Sequence, residues 1–299
     1  MSISRLLAAV ARPAAHRQTP HDLLAKTGLP LCAALVCGCT VITTTEEFQC
    51  EVDADCEARG GEFAGSICVE NVCQAKPVDP IWGCIGNVEP PVSGNMDTLK
   101  STFLDLITNK PPANATFKLC NKYDAPCDAP LGTPTMEADG SVTVTIPSEL
   151  EAYLQMEGPG YYPMLAFLDH DVQAENPVVY AVPDAIVGTL ATNAGVEIDE
   201  TKGIVLGRLA NCTGAPASGA SVAIFPSDQE TRFYTINNTV KADATKTDSS
   251  GNSGFVNVTP GAPQLTGYVS PGGQAYGTVS TLVRAGHITA QIVKPTPEL

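Results

Sequence analysis

Two stretches of this 299-residue chain carry one pattern. The fuller one is Thr247-Asp248-Ser249-Ser250-Gly251, followed by Phe255-Val256-Asn257-Val258-Thr259-Pro260-Gly261. The weaker one is Asp139-Gly140-Ser141-Val142-Thr143-Val144-Thr145-Ile146-Pro147. In each, an Asp and a Gly set a turn, a strand follows, and a Pro ends it. Asp bonds its own backbone and Gly accepts positive φ, so both stretches read as a turn feeding a strand. A pattern used twice predicts two similar β domains. The 26 Gly and 24 Pro, with only 16% charged residues, agree by favouring turns and strands over long helices.

The formal charge of -15 argues against a nucleic-acid partner, because neutralising phosphates needs clustered Lys and Arg and no such cluster occurs. The acidity reads as a solvated surface. Eleven Cys at mostly short spacings imply export to an oxidising compartment. At the N-terminus Arg5, Arg12, Arg17 and Lys26 precede an apolar run from Leu29 to Gly38 that is too short to span a bilayer. Val36-Cys37-Gly38-Cys39 resembles a bacterial lipobox. That resemblance implies that residues 1–38 are a lipoprotein signal peptide, that Cys39 carries acyl chains, and that the membrane is a partner through them. Thr40, in place of Asp, points to the outer membrane of the cell envelope. The other reading is an ordinary signal peptide and a secreted product. Without residues 1–38 the chain keeps 13 basic and 31 acidic residues, so the lipid and not headgroup attraction would hold it.

Residues 39–49 read as a Thr-rich tether. Cys50, Cys56, Cys68 and Cys73 follow at spacings of x5, x11 and x4. A segment so short cannot bury a core, so disulfides must stand in for one, and four Cys allow three pairings. Zinc is the rival, but its modules usually use Cys-x2-4-Cys pairs or His ligands, whereas the spacings here are 5, 11 and 4 and no His lies within 50–73. The segment resembles small Cys-rich modules of myxobacterial-type lipoproteins through its Cys50-x-x-Asp53-x-Asp55-Cys56 opening. Residues 74–80 are a Pro-containing linker.

The first sandwich is predicted over 81–169, opening at Ile81–Val88 with Trp82 packed against the first strand. Residues 101–107 and 115–120 flank Asn109-Lys110-Pro111-Pro112 and read as a hairpin. Further strands are expected at 142–146, 150–156 and 163–168. Residues 170–202 read as a linker with a short helix near 183–195, bounded by Pro183 and Gly195. The second sandwich is predicted over 203–295, with strands near 203–211, 220–225, 255–258, 265–269, 276–283 and 287–293, and a tail at 296–299. The fold class is mainly β: two tandem antiparallel Greek-key β-sandwiches behind a small disulfide-rich module.

The second of these resembles the carboxypeptidase regulatory-like, or transthyretin-like, β-sandwich. Gly203, Val205, Gly207, Gly219, Ala220, Val222, Thr247, Asp248, Gly251, Phe255, Asn257, Val258, Pro260 and Gly261 carry the likeness. Residues 81–169 resemble a divergent copy. The resemblance implies an accessory module that stabilises, spaces or binds. With Cys39 acylated and four Cys in the knot, Cys84, Cys120, Cys127 and Cys212 form an even set. Cys120 with Cys127 is the local choice, and it leaves Cys84 with Cys212.

Little in the chain asks for catalysis. His170 and His287 lie outside the signal peptide, neither at metal-ligand spacing, and no nucleophile elbow, Walker loop or dinucleotide fingerprint occurs. No catalytic residue, cofactor or metal is expected. Asp139 and Asp248 offer one carboxylate per turn, too few for Ca²⁺. The expected function is that of a non-catalytic, lipid-anchored surface protein serving as a structural or binding module, with a surface protein or glycan as possible partner. The rival is a carbohydrate- or peptide-binding protein using sandwich loops, which exposed aromatics at Tyr161 and Tyr162 or at Phe233 and Tyr234 would favour. A diverged hydrolase built around His170 or His287 comes last.

Overall fold

The computed structural model describes residues 49–60, 63, 66–75, 81–90, 92–168 and 177–297. The signal peptide, Cys39, the tether through Phe48, the linker residues 76–80 and His170 lie outside them. The described chain divides into two compact units, within residues 13–79 and 80–299.

The smaller unit is a disulfide knot. Helix α1 (Asp53–Arg59) precedes an antiparallel hairpin of β1 (Ser66–Val69) and β2 (Val72–Ala75). Cys50 is bonded to Cys68 and Cys56 to Cys73. The two Asp of the opening motif are spent locally. Asp55 accepts from the backbone N–H of Glu51 and Val52, at 2.8 and 3.0 Å, and so caps the helix. Asp53 accepts from the N–H of Cys68 at 2.8 Å and ties the helix to the hairpin.

The larger unit is a β body built from two copies of one six-strand arrangement. The first copy comprises β3 (Met96–Asp105), β4 (Thr116–Asn121), β5 (Ser141–Pro147), β6 (Ala152–Glu157), β7 (Met164–Phe167) and β8 (Val178–Ala181). They form the orders β5-β3-β8 and β7-β6-β4. Helix α2 (Asp184–Asn193) follows. The second copy comprises β9 (Gly203–Leu209), β10 (Ser221–Phe225), β13 (Asn252–Val258), β14 (Gln264–Tyr268), β15 (Ala275–Ser280) and β16 (Ile288–Val293). Here the orders are β13-β9-β16 and β10-β14-β15, with the hairpin β11 (Thr231–Ile236) and β12 (Thr239–Lys241) added beyond β13. The pairings correspond strand for strand. In each copy the third strand lies antiparallel to the first and the last lies parallel to it.

The repeated turns explain the correspondence. Gly140 and Gly251 have φ of +87° and +68°. A Cβ on either would stand 2.5 or 2.6 Å from a backbone oxygen, of Phe103 or Leu209, so only Gly fits. The same close approach makes a hydrogen bond, Phe103 N–H to Gly140 C=O and Leu209 N–H to Gly251 C=O, both 2.8 Å. The turn therefore fixes the third strand beside the first in each copy.

The copies share a sheet. Strand β16 pairs in parallel with β9 on one side and with β7 of the first copy on the other, giving the eight-stranded order β12-β11-β13-β9-β16-β7-β6-β4. Pairing is thus antiparallel except at β3·β8, β9·β16 and β7·β16. On the second copy's part of this sheet one face carries Val205, Leu209, Tyr234, Phe255 and Val293 into that copy's own core. The other carries Ile204, Phe233, Val256 and Ile288 into the first copy's core, where Val187, Leu190 and Ala191 of α2 also lie. Two-sided burial accounts for the run Ile204-Val205-Leu206 in β9 and for the near-continuous burial of β13.

Several expectations change. Residues 101–107 and 115–120 are strands but not a hairpin, because β3 and β4 belong to different sheets. The turn between them changes sheet: Asp105 accepts from the N–H of Ile107 and Thr108 and from the Tyr161 hydroxyl, which stops β3 there. Ile81–Gly86 is a series of turns and not a first strand. Trp82 and Ile85 pack on the second copy's core, the Trp82 ring centred 4.7 Å from that of Tyr276. The segment read as a linker supplies β8, and residues 231–241, where Phe233 and Tyr234 are expected as loop aromatics, form the hairpin β11–β12.

Candidate functional site

A concavity of the second copy lies between two loops at one end. One loop leaves β10 and holds Pro226, Ser227, Asp228 and Glu230; the other leaves β13 and holds Thr259, Pro260, Gly261, Ala262 and Pro263. Prolines keep both loops out of the ladders, since Pro cannot donate to them. Between the loops is a cleft of about 410 Å³.

Its polar groups hold one another. Asp228 accepts from the Thr259 hydroxyl at 2.8 Å and from Lys202 Nζ at 3.3 Å, and Lys202 also donates to Thr259 Oγ1 at 2.7 Å. Glu230 accepts from the Ser227 hydroxyl and the Asp228 N–H, each at 2.7 Å. The Thr259 and Lys202 hydrogen bonds hold the Asp228 carboxyl below its ordinary range, so it stays ionised. A carboxylate kept ionised and already bonded is a poor general acid or base near neutrality. The cleft is lined by two carboxylates, Asp228 and Glu230, and by the prolines of both loops.

A second polar cluster braces the seam between the copies. Arg284, between β15 and β16, donates to Tyr153 OH at 2.6 Å and to Gln155 Oε1 at 2.9 Å, both on β6. The Tyr153 hydroxyl donates in turn to the Asp124 carbonyl at 2.8 Å. Tyr153 is fully buried beside Leu165, Leu282 and the Cys120–Cys127 bridge. The guanidinium thus joins β6 of the first copy to the second copy's loop between β15 and β16.

The residues singled out by sequence fall as follows. Cys84 is bonded to Cys212 and Cys120 to Cys127, in addition to the two bridges within the knot. Stacking of the knot's bridges brings the sulfurs of Cys50, Cys56 and Cys73 within 4.8 Å of one another. A metal takes thiolates, and these sulfurs are bonded to sulfur. Asp139 and Asp248 accept from the N–H of Ser141 and Ser250 inside their turns, and the Ser250 hydroxyl donates to Asp248 as well. His287 sits half-buried at the start of β16 with Nδ1 2.7 Å from the Ala285 carbonyl, and burial holds its pKa below the ordinary value.

The aromatic pairs do not form a binding surface. Phe233 and Tyr234 are wholly buried on opposite faces of β11, and Tyr161 and Tyr162 pack against the first core. The exposed aromatics, Tyr123 and Phe225, lie on different copies. Sequence reading missed Asp228, Glu230, Lys202 and Arg284. Each gains its meaning from partners 26 to 131 residues away, save the local contacts of Glu230, and no spacing rule reaches that far. Among the described residues no helix is long and apolar enough to cross a membrane.

No family model matches the chain, and no curated protein does. Among solved structures it is similar to the shaft pilin SpaA from Lactobacillus rhamnosus GG, with 14% identity and a TM-score of 0.24 over 69% of this chain and 100% of that one. It is also similar to GBS52, the minor pilin of Streptococcus agalactiae, with 14% identity and a TM-score of 0.22 over 68% and 98%.

Proposed function

We propose that this protein is a non-catalytic structural module of the bacterial cell surface, held to the outer membrane by acyl chains on Cys39. The observation that carries the reading is covalent closure. The eight described cysteines are all cross-linked, and one bridge spans 128 residues to tie the segment at Cys84 to the second copy at Cys212. Such closure suits a protein that must keep its shape in an oxidising compartment without repair. The polar groups examined for chemistry support the same reading, since they are spent on turns, on the cleft's own loops and on the seam.

Intact mass and detergent-phase partitioning of the protein from its native membrane, beside a Cys39→Ala variant, test the anchor. Acyl mass and detergent partitioning in the wild type alone are expected. An unmodified, soluble wild type would replace the anchored module by a secreted one.

A ligand-binding role on sandwich loops is favoured by one observation, the cleft between residues 226–230 and 259–263. Titrating isotope-labelled protein with neutral oligosaccharides and with short peptides tests it. Shift changes confined to those two loops would support it, and their absence across both ligand classes would remove it.

A further inference from the structure

We infer that the Cys84–Cys212 bridge is a mechanical bypass, which takes the whole first copy out of the path of tension when the chain is pulled between its N-terminal side and its C-terminal strand. The inference rests on the structural-module reading for its purpose, but its geometry stands on bond connectivity. Tension follows covalent bonds. Arriving from the knot it reaches Cys84, crosses to Cys212, and continues only through the residues after Cys212. Everything between the two cysteines, a separation of 128, belongs to a closed loop that cannot lengthen. That loop holds β3 to β8, α2 and β9.

The part left in the path has a defined place to yield. Cys212 stands just beyond the C-terminal end of β9, and β9 is parallel to β16 with Leu209 opposite Val293. The last hydrogen bond of that ladder is Ala210 N–H to Val293 C=O, 2.8 Å. Both points of pull therefore lie at the same end of the two strands, so the ladder opens one rung after another and the bonds never resist together. Before it opens, a short C-terminal strap must leave the edge of β15, where Thr296 N–H meets the Tyr276 carbonyl at 3.2 Å and Thr296 Oγ1 accepts from Thr278 N–H. The strap lies close: a Cβ on Gly277 would meet the Lys294 carbonyl oxygen.

The bypass is also open to a reductant at both of its cysteines. Cys84 and Cys212 are half-buried, whereas in the knot only Cys68 is, and Cys120 and Cys127 are 0% and 3% exposed. Access governs which disulfide a thiolate reaches first.

Single-molecule force extension of the chain, with one handle before residue 49 and one after residue 297, tests the inference. With the bridge closed, the segment from Cys212 to β16, about 80 residues, is expected to release roughly 280 Å of contour length. A Cys84→Ser, Cys212→Ser variant is expected to release about 420 Å more, as the 128 residues enter the path less the 7 that the closed Cys120–Cys127 bridge still withholds. If that variant does not fold, wild type folded first and then pulled with a dithiol reductant in the chamber is expected to show a step of that size, apart from the shorter gain as the knot's own bridges, which close residues 50–73, are reduced. The knot's two bridges lie in both proteins and do not alter the difference. Full release from oxidised wild type, or no gain on opening the bridge, overturns the bypass. These lengths do not depend on acylation, so a protein that is anchored yet shows no gain loses the bypass alone. One that shows the gain yet carries no lipid loses the anchor alone.

Discussion

In the first copy the step from second to third strand, β4 to β5, runs through a loop pinned by Cys120–Cys127; in the second the same step, β10 to β13, is made by the added hairpin β11–β12. The positions of the copies explain the difference. The outer strand β4 has only its own loop beside it, where Leu119 and Gly132 bridge, and a cross-link suffices to hold that loop. Strand β13 lies inside a sheet buried on both faces and needs a neighbour, which β11 supplies with Phe233 for one core and Tyr234 for the other. Gly254 of β13 makes room, since a Cβ there would stand 2.4 Å from the Phe233 ring. A repeated unit can thus keep its turn and its first ladder while the connection beyond them is rebuilt to suit the neighbours.

The largest expected effect sets the two bridges of the β body against each other. A cross-link stabilises mainly by restricting the unfolded chain, more so for longer loops. Opening Cys84–Cys212 by paired Ser substitutions is expected to cost about 4–5 kcal/mol, and opening Cys120–Cys127 about 2–3 kcal/mol. Urea unfolding of both variants measures this. Equal losses would mean that the long loop is already compact when unfolded, and that closure does less than its length implies.

Next in size are the turn glycines, which test whether the copies are equivalent. Gly140→Ala and Gly251→Ala each combine a positive φ with a Cβ forced against a backbone oxygen. Each is expected to cost about 2–3 kcal/mol. Thermal unfolding should find the two losses alike, and a silent Gly140→Ala would end the equivalence. The aspartates should then differ. Asp248 also accepts from the N–H of Asn237, in the added hairpin, at 2.7 Å, whereas Asp139 serves its own turn and stands 3.9 Å from Lys100 at the surface. Asp248→Ala is expected to cost about 1–2 kcal/mol, and Asp139→Ala less. A reversed order would detach the hairpin from the turn.

These contrasts also mark what sequence could and could not reveal. The duplicated Asp-Gly turn is local chemistry, so the mainly β class and most strands were legible from it and from alternation at Val142, Val144 and Ile146. The sheet to which a strand belongs was not. Thr102 and Phe103 look the same whether β3 pairs across a tight turn or, as it does, with β5 and β8. Trp82 gave no sign that it would cross to the far core, because that contact depends on Cys84 reaching Cys212. Phe233 and Tyr234 read as exposed aromatics because burial on two faces leaves no alternation to detect. The cleft was illegible for a further reason: Asp228 and Thr259 meet only after two loops have been carried to the same end of the sandwich.

The smallest expected effect separates the copies by pH. His287, on the second copy, is the histidine among the described residues, and burial is the main cause of its lowered pKa. The unfolded chain takes up the proton near the ordinary value of about 6.5, while the folded chain resists it. Stability from this group is therefore full above about pH 6.5 and falls as pH drops toward the folded value. The first copy's Asp105 and the second copy's Asp248 are also held below their ordinary range by hydrogen bonds, although burial opposes them, so their losses begin only near pH 4 and below. Among the described residues, the decline between about pH 6.5 and 5 belongs to His287. His287→Gln, followed by urea unfolding across that interval, is expected to flatten it without changing the loss below pH 4. An unchanged slope in the variant would move the acid-sensitive group elsewhere and leave the seam at β16 indifferent to protons.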